Sequence, residues 1–336
     1  ERFHSEPLVK ATELLLQERI PHGAPASHPR AEEVLSGRVV RQLSGRVTRV
    51  FNTPNTITPR VQLLSNGIYS VMVTTSGAGY STHKDIAVTR WREDTTRDLW
   101  GSFVYLRNVE SGDVWSGGYQ PLGRKPEFYE VAFSEDKAVI KRSDGHTDTR
   151  TEIIVSPEDN AEIRRVAVTN NSSKAIEIEV TSYAEIVLAP PKADAAHPAF
   201  SNLSIETEFN SDENSLIAKR RPRAETDEPI WAIHTIATDA ETVGAVQYET
   251  DRARFLGRGH DTRGPRAVIE NRPLSNTVGS VLDPIFSLRC CMRIEPRETA
   301  CVTFSTAVAA SHDEALRLAD KYHDVSIFDR EATLAW

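Results

Sequence analysis

The densest group of residues that could carry chemistry lies between positions 65 and 121. This stretch contains three of the chain's five tryptophans, Trp91, Trp100 and Trp115. A run of charged side chains accompanies them: Lys84, Asp85, Arg90, Arg92, Glu93, Asp94, Arg97 and Asp98. An indole can stack on the C–H face of a pyranose ring, while carboxylate and guanidinium groups pair with its hydroxyls. The pattern suits a sugar-binding surface, but tryptophans in a core beside a solvated loop of charges would give the same sequence.

Carboxylates are abundant enough to form a glycosidase pair, but their spacing does not identify one. That chemistry needs two carboxyl groups held roughly 5 to 9.5 Å apart across a pocket. Glu93 with Asp94, and Glu110 with Asp113, are close in sequence. In a chain with 48 acidic residues such pairs also arise by chance. We therefore assign no catalytic residue.

The common signatures of metal, nucleotide and nucleophile sites are absent from the sequence. Its ten histidines include no H-E-x-x-H spacing, and neither a P-loop nor a G-x-S-x-G elbow occurs. Gly77 and Gly79 follow a predicted strand but precede Tyr-Ser-Thr rather than a helix, so the context of a dinucleotide site is missing. Gly257 and Gly259 flank Arg258 in a basic loop that either contacts an anion or forms a plain surface turn. We predict no metal and no cofactor.

Composition argues against two classes of protein. With 40 basic and 48 acidic residues the net charge is −8, which disfavours a nucleic acid held through its phosphates. The sequence has no run of about 18 apolar residues, the length that a membrane-spanning helix needs.

The three cysteines of the chain form neither a disulfide framework nor a zinc pattern, and the adjacent Cys290 and Cys291 would point to opposite faces of a strand. We expect a reducing, cytoplasmic location.

The elements that must position these residues are mainly β-strands. From residue 46 to 310, short runs of β-branched and aromatic residues alternate with Asn, Gly, Asp and Pro. Such runs without intervening helical patterns predict a large antiparallel β-sandwich rather than a βαβ fold. The clearest predicted hairpin spans 162–188, with its turn at 170–173 and with Ile178 and Val180 facing the core.

Helical periodicity appears at the two ends of the chain. Residues 8–19 form an amphipathic pattern, and a Pro- and Ala-rich linker follows at 21–29. Ser311 is a good N-cap with Glu314 at capping-box spacing, and a helical pattern continues to Trp336. This gives three regions: a helix and linker at 1–45, the sandwich at 46–310 and a helical linker at 311–336. Because the chain starts without Met and stops inside a helical pattern, we expect both ends to be cut points in a longer protein.

Four sequence motifs resemble those of a known family. They are G-Y-S-x-x-K-D at 79–85, R-W at 90–91, W-S-x-x-x-Q-P at 115–121 and EVTSYAEIVLAPPKADAAHPAF at 179–200. Together they look like the N-terminal domain of glycoside hydrolase family 94, which contains cellobiose, chitobiose and 1,2-β-oligoglucan phosphorylases. The flanking text most closely resembles the C-terminal region of bacterial cyclic β-1,2-glucan synthases. The resemblance covers essentially the whole chain.

The resemblance implies a fold and a place for the catalytic machinery. The fold would be a mainly β, galactose-mutarotase-like supersandwich with flanking helices at both ends. The catalytic acid and the phosphate-binding residues would lie in an α/α barrel that follows the sandwich. The opening helix would end a preceding domain. For the parent, a glycosyltransferase with a phosphorylase-like region, the resemblance leaves open an anchor in the bacterial inner membrane.

Carried over residue by residue, the motifs place one face of the sandwich nearest the sugar or the barrel. The candidates are Tyr80, Lys84, Asp85, Arg90, Trp91, Trp115 and Gln120, with Gly79, Ser81, Ser116 and Pro121 in the same motifs. We expect Trp91 and Trp115 to stack on sugar. We expect Asp85, Arg90 and Gln120 to form hydrogen bonds. None is assigned as nucleophile or general acid.

Three functions remain open at this point. The favoured one is a non-catalytic accessory domain of a glucan-processing enzyme, which binds β-1,2-glucan or a related glucoside and positions the barrel of the same parent chain. The second is a structural or dimerisation scaffold without sugar contact, which could assemble as a homodimer. The third is a mutarotase-like epimerase, for which the sequence offers no identifiable arrangement of His and Glu.

Overall fold

A computed structural model of the protein describes residues 39–43, 46–94, 96–222 and 229–335. In this part of the chain the backbone forms two large antiparallel β-sheets and six helices. The predicted helix at 8–19 and the linker at 21–29 lie outside the described residues.

Sheet one contains eleven strands. In spatial order they are β1 (Val39–Leu43), β2 (Arg46–Phe51), β9 (Phe128–Phe133), β10 (Ala138–Asp144), β11 (Thr147–Val155), β12 (Ala161–Asn170), β21 (Thr299–Ala309), β16 (Ile230–Thr238), β15 (Ser215–Arg220), β14 (Ile205–Asn210) and β19 (Gly279–Ser280). β1 pairs with β2, so the sheet begins before the predicted boundary at residue 46.

Sheet two contains ten strands. They are β3 (Val61–Ser65), β4 (Tyr69–Thr74), β5 (Gly79–His83), β6 (Ile86–Thr89), β7 (Phe103–Asn108), β8 (Val114–Ser116), β13 (Ile176–Ala189), β17 (Glu241–Thr242), β18 (Gln247–Asp251) and β20 (Pro284–Ile294). The long strand β13 is central: it pairs with β20 along one edge, and with β7 and then β6 along the other. Beyond β6 the order continues through β5 and β4 to β3.

Four short helices interrupt the sandwich and two longer ones follow it. They are α1 (Pro191–Ala196), α2 (Pro198–Asn202), α3 (Arg252–Leu256), α4 (Arg266–Ile269), α5 (His312–His323) and α6 (Ile327–Ala335). The sequence predicted no helix within the sandwich, because segments of four to six residues are too short to show a helical period. The available signals were Pro191 and Pro198, which occupy the first helical positions of α1 and α2.

The helix α5 begins where the capping pattern predicts. The hydroxyl of Ser311 accepts a hydrogen bond from the Glu314 amide at 3.2 Å, and the Glu314 carboxylate accepts one from the Ala310 amide at 2.8 Å. The apolar face of α5, including Leu318 and Tyr322, is buried against β16 and β21 of sheet one. The last two helices therefore belong to the packed structure of sheet one.

The main hydrophobic core lies between the two sheets. Ile178 and Val180 of β13 face inward and are fully buried, as the alternating pattern predicts. They meet inward-facing residues of sheet one such as Val131, Val166 and Phe304. Burying each large apolar side chain contributes about 1.5 to 3 kcal/mol. This shared core holds the two sheets together.

The predicted hairpin at 162–188 is wrong. β12 pairs with β11 and β21 in sheet one, whereas β13 pairs with β7, β6 and β20 in sheet two. The connection is therefore an arch between the sheets. The side-chain amide of Asn170 fixes it by donating to the carbonyl oxygens of Lys174 and Ile294, at 2.7 and 3.0 Å. Alternation shows which face of each strand is buried but not which sheet the strand joins.

His234 forms a polar connection between the sheets. Its ring lies between the rings of Phe286, in sheet two, and Phe304, in sheet one, with centroids 5.5 and 5.8 Å away. Its Nε2 is 2.8 Å from the Ser182 hydroxyl and its Nδ1 is 2.9 Å from the Thr306 hydroxyl. Burial, with a smaller effect of the Arg164 charge, lowers the pKa of His234 to about 3.

The buried imidazole predicts a loss of stability in acid. The pKa of His234 is about 3 in the folded protein and about 6.5 in the unfolded chain. Between these two pH values, mainly the unfolded state binds a proton at this histidine, so acid favours unfolding. The stabilisation is fully present above pH 6.5 and decreases as the pH falls from about 6.5 towards 3. Urea unfolding from pH 7.5 to 4.5 measures the decrease.

The pH dependence of stability is compared between the parent protein and the His234→Gln variant. The His146→Gln variant is the control, because His146 is exposed. We expect the His234→Gln variant to be less stable at pH 7.5 and its stability to change less between pH 7.5 and 4.5 than that of the parent. The His146→Gln variant keeps the parent profile. Equal slopes for all three proteins would contradict the assignment.

Candidate functional site

A cleft of about 600 Å³ lies on the outer face of sheet two. In β4, Val71 and Val73 face the core, so Met72 between them faces outward. Met72 has Leu63 of β3 as its neighbour on one side and Tyr80 of β5 on the other. The residues that form the floor are Val61, Leu63, Met72, Tyr80, Thr82, Ala87 and Val187. The floor is therefore largely apolar although it faces outward.

Two segments outside the strands wall this floor. Residues 90–94 and Asp98, which follow β6, form one wall, and Pro191 and Asp194 of α1 contribute to the other. The ring of Trp91 lies 5.5 Å from that of Tyr80, centroid to centroid, and the two planes are tilted by 54°. Both side chains are half-buried. Two aromatic rings thus meet where the floor joins the wall.

Arg90 anchors the wall beneath Trp91. Its guanidinium lies 2.7 Å from the carboxylate of Glu185, and 3.2 Å from those of Asp194 and Asp283. It also donates to the side-chain oxygen of Asn202 at 2.7 Å. Burial alone would lower the pKa of Arg90, but Glu185 and Asp194 outweigh this effect and raise the pKa above its usual value. Arg90 is consequently a fixed, fully paired cation.

Arg92 ties the same wall to α1. Its guanidinium donates to the Asp194 carboxylate at 2.5 Å and to the Asp194 carbonyl oxygen at 3.3 Å. Asp194 is almost completely buried and so serves both Arg90 and Arg92. This shared carboxylate holds the two walls of the cleft together.

The outer part of the wall carries two exposed carboxylates, Glu93 and Asp94. The hydroxyl and the amide of Thr96 donate to the Asp94 carboxylate at 2.7 and 2.8 Å, and these bonds lower the pKa of Asp94. Asp98 lies deeper and accepts hydrogen bonds from the hydroxyls of Thr74 and Ser76. The rim of the cleft is therefore acidic.

The structure brings together three of the residues that the sequence singled out. Tyr80, Arg90 and Trp91 all line the cleft. Lys84 and Asp85 do not: they form the exposed turn between β5 and β6, where the Lys84 amide donates to the Ile68 carbonyl oxygen at 2.8 Å. Lys84 and Asp85 therefore remain candidates only for contacts outside the cleft.

Trp115 and Gln120 also lie outside the cleft. The Trp115 side chain is 2% exposed in the core between the sheets, and its indole N–H donates to the Thr149 hydroxyl at 2.9 Å. Neighbouring core residues cover both faces of its ring, so the structure contradicts the expectation that Trp115 stacks on sugar. Gln120 is half-buried, and its backbone N–H donates to the Ser76 carbonyl oxygen at 2.9 Å.

Gly79 of the same motif has a steric role. A Cβ atom at this position would lie 1.8 Å from the carbonyl oxygen of Met72 on the neighbouring strand. Any other residue would therefore push β5 away from β4 and displace Tyr80. The neighbouring Ser81 points inward and donates to the buried carboxylate of Glu162.

Sequence reasoning missed the apolar floor and Asp194. Val61, Leu63 and Met72 read as ordinary strand residues, because alternation alone does not say which face is covered. Asp194 lies in a Pro- and Ala-rich stretch that reads as a loop. Its partner Arg90 is 104 residues away along the chain, and no local pattern connects them.

Two stacked antiparallel sheets with a cleft on one outer face define the class of the domain, a β-supersandwich. Residues 45–325 match the family model described as the glycosyl hydrolase 94 supersandwich domain. The chain belongs to this family. The resemblance drawn from its motifs and the predicted mainly β supersandwich fold are both confirmed.

The curated relatives are much longer than this chain. It is 37% identical over 336 residues to the cyclic beta-(1,2)-glucan synthase NdvB of Rhizobium meliloti (strain 1021), covering 100% of this chain and 12% of that protein. It is 25% identical over 287 residues to the N,N'-diacetylchitobiose phosphorylase of Vibrio furnissii, covering 83% and 34%. The chain therefore spans about an eighth of the first relative and a third of the second.

Among solved structures, a putative aldose 1-epimerase from Klebsiella pneumoniae subsp. pneumoniae has a TM-score of 0.38 at 8% identity, covering 83% of this chain and 88% of that one.

The part of the chain that the structure describes contains no group of three or more His, Cys, Asp or Glu residues that could hold a metal ion. The helices described are each too short or too polar to cross a bilayer.

Replacing Arg90 tests whether the wall rests on its ion pairs. In the Arg90→Met variant the buried carboxylates of Glu185 and Asp194 lose a counter-charge, and we expect a loss of about 3 to 5 kcal/mol in the free energy of unfolding. The exposed pair of Lys141 and Glu130 supplies the control: Lys141→Met should cost less than about 1 kcal/mol. Urea unfolding measures both. Similar losses in the two variants would rule out the anchoring role.

Proposed function

We propose that this chain is a non-catalytic accessory domain that binds a neutral glucoside in the cleft on sheet two. The observation that carries the proposal is the pair of half-buried rings, Tyr80 and Trp91, which lie 5.5 Å apart where the largely apolar floor meets the wall. Such rings present flat surfaces to the C–H faces of a pyranose. The acidic rim supplies acceptors for its hydroxyl groups.

The size and shape of the cleft support a small saccharide. Its volume of about 600 Å³ falls within the range of about 300 to 1,000 Å³ that ligand sites occupy. The cleft is mainly apolar with a few convergent polar groups, which is the usual composition of such sites. The bound ligand would be a short stretch of an oligosaccharide.

The relatives suggest the linkage of that saccharide. The glucan synthase relative is named for cyclic beta-(1,2)-glucan, and the match to it covers the whole of this chain. We therefore propose β-1,2-glucan, or a related glucoside, as the ligand. The parent would be a glucan-processing glycosyltransferase or phosphorylase, with this domain shaping the sugar site.

The C-terminal helices support a second task, the positioning of an α/α barrel in the same parent chain. Lys321 of α5 lies 2.5 Å from the Asp159 carboxylate and 3.3 Å from that of the buried Glu331. In α6, Phe328 packs under the guanidinium of Arg165 at 3.9 Å. These contacts fix both helices on sheet one, so a domain joined to them would take its orientation from the sandwich.

The alternative of a scaffold or dimerisation domain is favoured by a different observation. Leu63 on the floor of the cleft is 62% exposed, and Ile57 nearby in sequence is 75% exposed. Exposed apolar residues of this kind also occur at protein interfaces. A homodimer built on this surface would cover the rings and leave no room for sugar.

Replacing Trp91 tests sugar binding. With linear and cyclic β-1,2-glucans as ligands, amide chemical shifts of the cleft residues should move at millimolar sugar. The Trp91→Ala variant should bind roughly tenfold more weakly, since it loses a stacking contact worth about 1.4 kcal/mol. Its free energy of unfolding should change little, because the ring is only half-buried.

Trp115→Phe is the matched control for that experiment. It removes a core indole and its hydrogen bond to Thr149, so it should lower stability by about 1 to 3 kcal/mol while keeping the parental sugar affinity. No shift with either glucan would overturn the sugar proposal. Concentration-dependent self-association seen by sedimentation would then favour the scaffold.

The non-catalytic assignment makes a separate prediction. The chain incubated with β-1,2-glucan and inorganic phosphate should consume no phosphate above a protein-free blank. The reason is that this proposal places the catalytic acid and the phosphate site in the barrel and none in the sandwich. Phosphate consumption that scales with protein concentration, and that Trp91→Ala reduces, would refute it.

A further inference from the structure

We infer that the cleft on sheet two selects its ligand by charge, admitting uncharged and cationic saccharides and rejecting anionic ones. The inference rests on the proposed function for the identity of the ligand. The selection by charge follows from the charged groups that line the cleft. The carboxylates of the rim then determine specificity in addition to accepting hydrogen bonds from the ligand.

The residues that line the cleft carry more negative than positive charge. Four of them are acidic and two are basic: Glu93, Asp94, Asp98 and Asp194 against Arg90 and Arg92. Both arginines are already paired, Arg90 with three carboxylates and Arg92 with Asp194. A ligand phosphate or carboxylate would therefore meet no lining cation, among the residues described, that lacks a carboxylate partner.

The exposed acidic groups of the cleft are concentrated at the mouth. Glu93 and Asp94 are exposed there, and the two hydrogen bonds from Thr96 lower the pKa of Asp94. Arg97, the neighbouring cation, is exposed beside Asp94 and does not line the cleft. Thus a ligand enters past two carboxylates.

Elementary electrostatics sets the size of the effect. A unit charge about 7 Å from a like charge near a protein surface is repelled by roughly 0.6 to 2.4 kcal/mol, depending on the effective dielectric constant. An anionic saccharide should therefore bind at least about threefold more weakly than its neutral counterpart at low salt. Screening in 0.5 M salt, where the Debye length is only about 4 Å, should remove most of the difference.

Fluorescence quenching tests the field without any saccharide. The signal of Trp91 is isolated as the difference between the parent protein and Trp91→Phe, and quenching by iodide, caesium and neutral acrylamide is normalised to free N-acetyltryptophanamide. Caesium should quench this component at least about twofold better than iodide at low salt. The half-buried Trp231 on sheet one, isolated in the same way, is the control for removing a tryptophan.

Neutralising the mouth should abolish the bias. In Glu93→Gln/Asp94→Asn, iodide and caesium should quench Trp91 about equally. The control Glu127→Gln/Glu298→Gln makes the same change in net charge at exposed positions that do not line the cleft, and the bias should persist. Equal quenching in the parent protein, or a bias that both double variants lose, overturns the inference.

A charge series of saccharides completes the test and separates it from the proposed function. It uses gluco-oligosaccharides of one length in three forms: neutral, with one amino sugar and with one uronic acid. Affinity should fall from the amino form through the neutral form to the acidic form. Neutral binding together with equally strong acidic binding refutes the charge selection alone. Biased quenching without neutral binding refutes the proposed function and leaves the charge selection standing.

Discussion

The guanidinium of Arg90 is the contact on which the cleft depends. It joins the end of β6 to Glu185 of β13, Asp194 of α1 and Asp283 just before β20. An arginine this deeply buried is tolerable only because carboxylates surround it. The pairing holds the wall that begins at Arg90 beside the floor, with Trp91 against Tyr80 where the wall and the floor meet. The charge of Arg90 is thereby paired with carboxylates of the protein itself.

The two sheets divide the work of the domain. Sheet two turns an apolar face outward between β3 and β6, and the walls leave it open as a cleft. Sheet one uses its outer face to hold α5 and α6. Between the sheets, polar contacts such as that of His234 in sheet one with Ser182 in sheet two join one sheet to the other. The cleft and the helices therefore lie on opposite faces of one packed body.

Much of the fold follows from the sequence, and the site follows only in part. Alternating apolar residues correctly indicate strands and their buried faces, as at Ile178 and Val180, and the capping pattern correctly places Ser311. Alternation could not show that β12 and β13 lie in different sheets. Nor could residue type show that Trp115 fills the core while Trp91 remains half-exposed. Both depend on partners far away along the chain, such as Thr149 for Trp115, and those contacts exist only once the sheets have formed.

The arch between β12 and β13 also has a kinetic consequence. Because these successive strands separate, β12 finds its second partner in β21, with Ala161 opposite Ala307 at the other end of the chain. β21 is the last strand in sequence and lies in the middle of sheet one, between β12 and β16. Such non-local pairing slows folding, since long loops must close before the contacts form. The strands on the two sides of β21 therefore cannot complete their pairing in sheet one until β21 has been synthesised.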